Sequence, residues 1–278
     1  MSLFRDKIAF ITGAGSGLGC ALSEDLGRNG AVSIVTDIDS ERAAQVTDRI
    51  TASGGRARAL QLDVSDADSV ARAIDCIVRE YGRLDYIFNN AGIIILSEVR
   101  DMTLEHWHRI LNVNLLGVIH GTTAAYRHMV RQGFGHIVNV ASLGGLVHLP
   151  TYAAYAMSKH AVVGLTNSLR PEAAKLGVKV SLVCPGTMNT GLGAAATIVR
   201  ASREQLESHS KKRKPKQESV DPAAAARVIL RGVERNQRVI VFPFSARLLW
   251  WLYRVQPALL GPLDSWFLNT LRAARTES

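Results

Sequence analysis

Thr12-Gly13-Ala14-Gly15-Ser16-Gly17-Leu18-Gly19 closes the apolar run Ile8–Thr12 and opens a helix-length stretch at 18–28. Glycines at this density between a strand and a helix let the backbone approach a pyrophosphate, with helix N-terminal N–H groups aimed at it. The common GxGxxG spacing does not fit, because each register meets Leu18, Cys20 or Leu22 where its last glycine should stand. The spacing is TGxxxGxG, and Gly13, Ser16, Gly17, Leu18 and Gly19 are the candidate phosphate-holding residues. A purely structural turn is the competing reading. Asp37 ends the second apolar run, 20 residues past Gly17, where an acidic side chain meets an adenosine ribose. Its carboxylate would accept from the 2′ and 3′ hydroxyls and repel a 2′-phosphate, and no Arg or Lys occupies the turn. NAD is therefore favoured over NADP, the alternative being that Asp37 is a solvated strand-end residue beside Asp39. Asp63-Val64, after the third run, is a candidate to flank the adenine or a plain turn.

Outward from this turn, apolar runs recur at Ile8–Thr12, Val32–Thr36, Ala59–Leu62, Tyr86–Phe88, Ile137–Val140, Val180–Val183 and Val239–Phe242. They are nearly continuous in Ile, Val, Leu and Phe rather than alternating, as in parallel strands covered on both faces. Helix-length stretches at 18–28, 40–53, 67–80, 103–131, 152–176 and 222–235 separate them, with start signals at Ser40-Glu41, Thr103 and Asp221-Pro222. This alternation predicts a single-domain, Rossmann-type α/β fold over residues 1–243, a doubly wound parallel sheet of about seven strands. Two regions depart from it. Residues 187–220 show no strand pattern and are read as a substrate lid, and residues 244–278 form an amphipathic C-terminal helical extension.

Of the 278 residues 47% are apolar and 21% charged, which excludes wholesale disorder. The formal charge of +9 is uneven: residues 1–199 hold 18 basic and 17 acidic side chains, residues 200–278 hold 15 and 7. A near-neutral body argues against nucleic-acid binding. Cys20, Cys76 and Cys184 are odd in number and lack ligand spacing, so they read as buried free thiols in a reducing compartment, and no metal is expected. Met1–Lys7 runs into the first strand without an apolar signal core, so a cytoplasmic location is expected.

The glycine turn at 12–19, Asn89-Asn90-Ala91-Gly92 after the fourth run, Ser142 after the fifth, Tyr155-x-x-x-Lys159 on the next helix and Pro185-Gly186 after the sixth stand in a fixed order. Together they resemble the short-chain dehydrogenase/reductase family from residue 6 to about 243. Helical residues four apart share a face, so Tyr155 and Lys159 point into one space. An unperturbed phenol has a pKa of about 10, and a nearby ammonium and an oxidised nicotinamide would lower it toward a working base. Ser142, at the carboxyl end of its strand, can hydrogen-bond the reacting oxygen. Tyr152 is the competing phenol, but four residues on it meets Ala156, and wall or core is its reading. The resemblance further implies that Asn114 holds a water in a proton relay to Lys159, with a helix-kink role as the alternative. It also implies that Asn90 and Gly92 line the cofactor cleft, and that Pro185-Gly186-Thr187 contacts the nicotinamide carboxamide.

The loop Leu143–Pro150 and the segment Ile93-Ile94-Ile95-Leu96 are apolar, and with Met188 and Leu192 they suggest a greasy substrate pocket. His148 in that loop is either a substrate contact or plain loop. The run Lys211-Lys212-Arg213-Lys214-Pro215-Lys216 either attracts an anionic tail or is a solvated face. In the extension, Leu248, Trp251, Leu252 and Val255 form one helical stripe. Arg247, Arg254 and Asp264 interrupt any apolar stretch long enough to span a bilayer, leaving cleft cover, subunit interface or membrane-surface contact. The function expected is hydride transfer between NAD and a hydrophobic secondary alcohol or ketone by a homo-oligomer (dimer or tetramer). An NADPH-dependent carbonyl reductase, or a non-catalytic dinucleotide sensor or scaffold at a membrane surface, is the alternative.

Overall fold

The computed structural model describes residues 3–213 and 219–276. The basic run at 211–216 lies outside the residues whose side chains are described. The strands are β1 Ile8–Thr12, β2 Val32–Asp37, β3 Arg56–Gln61, β4 Tyr86–Asn89, β5 Ile95–Leu96, β6 Gly135–Val140, β7 Val178–Pro185, β8 Thr197–Ile198 and β9 Val239–Phe242. Seven of them make one parallel sheet in the order β3-β2-β1-β4-β6-β7-β9, with β5 and β8 paired separately. Strand order reverses between β1 and β4, and open sheets of this kind bind ligands beyond the carboxyl ends of strands at such a switch.

The helices are α1 Gly17–Arg28, α2 Ser40–Ala52, α3 Ala67–Tyr81, α4 Leu104–Leu111, α5 Gly117–Gln132, α6 Ala153–Ala174, α7 Gly191–Ala194, α8 Arg203–Arg213, α9 Pro222–Glu234, α10 Phe244–Val255 and α11 Gly261–Ala273. Leu22 and Leu26 of α1, Val46 and Ile50 of α2 and Ile229 of α9 bury one face of the sheet. Val70, Ile74 and Ile77 of α3, Met129 of α5 and Leu169 of α6 bury the other. Both faces being covered explains the unbroken apolar runs.

Several expectations need correction. The third strand starts at Arg56 rather than Ala59, because an edge strand is only partly covered and need not be apolar throughout. Helix α2 is capped by Asp39, whose carboxylate accepts from the Glu41 and Arg42 N–H groups, not by Ser40. The long fourth helix is broken by a π turn over Asn112–Leu116. Residues 187–220 do contain a strand: Ile95 and Leu96 pair in parallel with Thr197 and Ile198. A two-residue ladder is too short to leave any periodicity in sequence. Cys76 is exposed, not buried, while Cys20 is half-buried, Cys184 is buried and all three are free. On α3 the side chains of Val70, Ile74 and Ile77 face the core, and position 76 turns roughly 100° away from position 77.

Candidate active site

At the phosphate end, Gly13 has φ +62° and a Cβ there would fall 2.8 Å from the Ala91 Cα. A Cβ at Gly19 would fall 2.2 Å from the Gly13 carbonyl oxygen, so the turn and the first helical residues are tightly apposed. Ser16 is the N-cap of α1 and makes no side-chain capping bond, so the first N–H groups of this helix point to the crevice beyond β1. The Asn90 side chain stitches the turn to the end of β4, donating to the carbonyls of Thr12 (2.9 Å) and Gly13 (3.1 Å). Asp37 is aimed by the turn itself: Gly15 N–H donates to its Oδ2 at 2.8 Å, and Asp39 N–H to its Oδ1 at 3.1 Å. Asp63 is exposed and accepts from Ser65 N–H at 2.9 Å, whereas Val64 is buried against Gly117. These residues form a cradle that a dinucleotide fits. Reading the sequence missed three of its neighbours. Gly15 must lack a side chain, since a Cβ would sit 2.9 Å from the Asp37 carboxylate and 2.8 Å from the Arg42 Cβ, and Thr190 comes within 3.3 Å of the Cβ position on Gly17.

At the reaction end, Ser142 leaves β6 and caps a short 3₁₀ turn by accepting from Gly144 N–H at 3.1 Å. Tyr155 and Lys159 project from the first turns of α6 and are both buried. The Lys159 ammonium donates to the Val140 carbonyl at 3.0 Å and lies 5.8 Å from the Tyr155 ring centre. Burial pulls its pKa down to about 8, with Cys184 opposing slightly. Burial also pushes the Tyr155 phenol above its ordinary value, and the Ser142 hydroxyl beside it works the other way. In the protein alone the expected lowering by the lysine does not emerge: desolvation outweighs the Ser142 hydrogen bond, the one influence that pulls this phenol down.

Asn114 is fully buried inside the π turn. Its Oδ1 accepts from Ile93 N–H at 2.8 Å, and its Nδ2 donates to Ile93 O at 3.0 Å and Ser158 Oγ at 3.2 Å. Ser158 in turn donates to the Tyr155 carbonyl at 2.7 Å. A Cβ on Gly92 would stand 3.3 Å from Asn114 Oδ1 and 3.4 Å from Lys159 Nζ, which ties the β4 loop to this group. Pro185 ends β7, Gly186 N–H donates to Phe242 O at 2.7 Å, and Val220 N–H donates to Thr187 O at 3.1 Å, so the segment that begins at Thr187 is tied at Val220 back to its own start.

Tyr155 shares an apolar cluster with Ile95, Ile110 and Ala154, lined further by Ile93, Ile94, Met102, Trp107, Tyr152 and Val199. Met102, Trp107 and Val199 carry no sequence signal for this, being distributed over three separate segments. Met188 does not join them; it packs with Val220 against the core under α1 and α9. Leu192 is half-buried on α7. His148 is held by the extension, with Nε2 2.8 Å from an Asp264 carboxylate oxygen and its ring edge-on to Tyr253. Phe267 of α11 meets Tyr152 edge-on at 6.1 Å. The extension therefore packs on the loop after Ser142 and on Tyr152 at the edge of the Tyr155 cluster.

The family model for short chain dehydrogenases matches residues 7–199. The chain belongs to that family. The chain is 35% identical over 249 residues to the protein named SadH of Mycobacterium tuberculosis, covering 89% of this chain and 90% of that one. It is 35% identical over 190 residues to the cyclohexanol dehydrogenase of Acinetobacter sp. strain SE19, covering 68% and 76%. A solved short chain dehydrogenase/reductase from Burkholderia phymatum, in complex with NAD, superposes with a TM-score of 0.84 at 28% identity, covering 93% of this chain and 96% of that chain. Among the described residues, no helix is long and apolar enough to cross a membrane, and no cluster of three His, Cys, Asp or Glu could hold a metal.

Proposed function

We propose that this protein is an NAD-dependent dehydrogenase of hydrophobic secondary alcohols, working also in reverse on their ketones. The observation that carries the reading is Tyr155 buried beside Ser142 and Lys159 and walled by an apolar cluster. The likeness to a cyclohexanol dehydrogenase supports cyclic alcohols as the first substrates to try. Bound NAD would supply the hydride acceptor and a positive ring beside the phenol.

In this reading Ser142 orients the substrate oxygen by hydrogen bonding. Tyr155 takes the alcohol proton on its phenolic oxygen, or returns it to a carbonyl. Lys159 has three N–H donors and one protein acceptor, Val140 O, among the described residues, so two remain for a ribose hydroxyl or water. Asn114 spends its amide on Ile93 and Ser158, so we assign it to positioning the loop and helix around the lysine. Gly13, Ser16, Gly17, Leu18 and Gly19 hold the pyrophosphate, Asp37 the ribose, and Asp63 and Val64 flank the adenine. Asn90 with Gly92 lines the cleft, and Pro185, Gly186 and Thr187 meet the nicotinamide amide. His148 acts on substrate choice through the loop it anchors, with Met188 and Leu192 at the lid base.

One observation favours an NADPH reading. The Arg42 side chain begins beside Gly15, and a guanidinium there would attract a 2′-phosphate. It is engaged by Asp39 at 3.0 Å, and the Asp37 carboxylate, held by Gly15 N–H, would repel such a phosphate, so NAD remains the proposal.

The test is a panel of cyclic and other apolar alcohols and ketones followed by NADH absorbance. Tyr155→Phe should lower kcat by roughly 10² to 10⁴ while NADH binding stays within a few-fold. Turnover by that variant within about tenfold of the parent would sink the assignment.

A further inference from the structure

Of the stripe expected on α10, Leu248, Trp251 and Val255 face outward, Leu252 is half-buried, and Phe244 takes its place on the exposed face. Phe244, Leu248, Trp251 and Val255 recur at spacings of four, three and four, and are 75%, 47%, 60% and 64% exposed. Leu259, 56% exposed, follows in the next turn. Of the 13 exposed large hydrophobic side chains among the described residues, five fall within residues 244–259, so this is a patch and not the usual scatter of single apolar side chains. Helix α10 does not need these residues for its own docking. Its opposite face supplies Ala246 and Trp250 to a cluster with Leu143, Leu146 and Val163, and Tyr253 to His148.

The charges beside the stripe say what covers it. Arg247 and Arg254 stand along one flank, and both are exposed. Arg247 Nε donates to the Val241 carbonyl and the Arg254 guanidinium lies over the Trp250 ring. Neither has a carboxylate partner among the described residues. No Asp or Glu occurs from residue 235 to 263. A two-fold pairing of this face with itself would set arginine against arginine with nothing to offset them. An anionic surface is complementary to it. A short helix with apolar and tryptophan side chains on one face and arginines at its rim is the composition that lies in a bilayer interface without crossing it.

We propose that the outer face of α10, Phe244, Leu248, Trp251 and Val255 with Arg247 and Arg254, docks on an anionic lipid surface. The stripe enters the headgroup–acyl boundary and the arginines meet lipid phosphates. Because the inner face of the same helix packs on the loop after Ser142, lipid and substrate loop stand one helix apart, about 10 Å.

Flotation of the full-length protein with vesicles tests this. Vesicles of phosphatidylcholine and phosphatidylglycerol at roughly 7:3 should carry the protein at low salt, and phosphatidylcholine alone should carry roughly tenfold less. Leu248→Glu with Trp251→Glu should cut the bound fraction at least roughly tenfold, and Arg247→Gln with Arg254→Gln should do so on the anionic vesicles only. Unchanged circular dichroism melting would show each variant folded. The proposal is overturned if the parent does not float, or if the Leu248/Trp251 variant floats as well as the parent. It is equally overturned if light scattering shows that this variant breaks an oligomer of a parent that ignores lipid.

Discussion

His148 Nε2 lies 2.8 and 2.9 Å from the two carboxylate oxygens of Asp264, a residue 116 positions further along the chain. The loop between Ser142 and Tyr155 is thus tied to α11. Two other pairs tie the end of the chain to the turn after β5: Arg272 on both oxygens of Glu98 at 3.0 and 3.2 Å, and Arg275 on Asp101 at 2.8 Å.

Asp264→Ala tests whether this tie shapes the substrate side. The His148 and Asp264 side chains are 40% and 30% exposed, so the pair contributes at most about 1 kcal/mol and the melting temperature should move by only a few degrees. The loop, released from α11, should bind apolar substrates less tightly. We expect KM for a cyclic alcohol to rise several-fold with kcat nearly constant. A kcat loss with KM unchanged would place Asp264 in some other role.

The Gly15–Asp37 contact makes cofactor choice sensitive to a single methyl group. Gly15→Ala puts a Cβ 2.9 Å from the Asp37 carboxyl group, so the carboxylate must turn away and lose the Gly15 N–H. KM for NAD should rise roughly tenfold, the worth of a charge-assisted hydrogen bond, with kcat little changed. Asp37→Ala should relax the preference between NAD and NADP. Michaelis constants for both cofactors check each variant; strong NAD selectivity surviving in Asp37→Ala would remove the ribose argument.

Lys159 is a site where function opposes stability. Its pKa is about 8 in the fold against an ordinary 10.5. Between these values the unfolded chain holds a proton that the folded chain has released, so stability rises with pH across this window. Lys159→Met removes the buried charge and should abolish turnover. It should also raise the melting temperature of the cofactor-free protein at pH 7, by up to about 3 kcal/mol in free energy, and flatten the rise between pH 8 and 10.5. Thermal melts of both proteins across that range decide it. A lower melting temperature for the methionine variant at pH 7 would mean that the Val140 hydrogen bond outweighs the burial.

Much of the reaction end was legible in residue order. Tyr155 and Lys159 are one helical turn apart, so their proximity is a local property of α6. Ser142, Asn90 and the glycine turn each follow an apolar run, and the ends of parallel strands converge. Asn114 was legible as a buried amide needing a partner, but its partners Ile93 and Ser158 were not. The upward shift of Tyr155 was hidden for a related reason: desolvation is exerted by everything packed around the ring, including Met102, Trp107 and Val199 from segments that share no motif.

The sequence by itself determined the strand and helix alternation, the glycine turn with Asp37, and the tyrosine–lysine pair, because each depends on neighbours within a few residues or on a pattern repeated along the chain. Tertiary structure alone decided the β5–β8 ladder, the packing of Met188 away from the Tyr155 cluster, the clamp of α11 on His148 and the outward face of α10. These depend on which surfaces meet across a hundred or more residues. An amphipathic helix declares in sequence that it has an apolar stripe, but which of its faces the protein covers is settled by packing, and here Trp250 and Tyr253 take the inside and leave Leu248 and Trp251 to solvent.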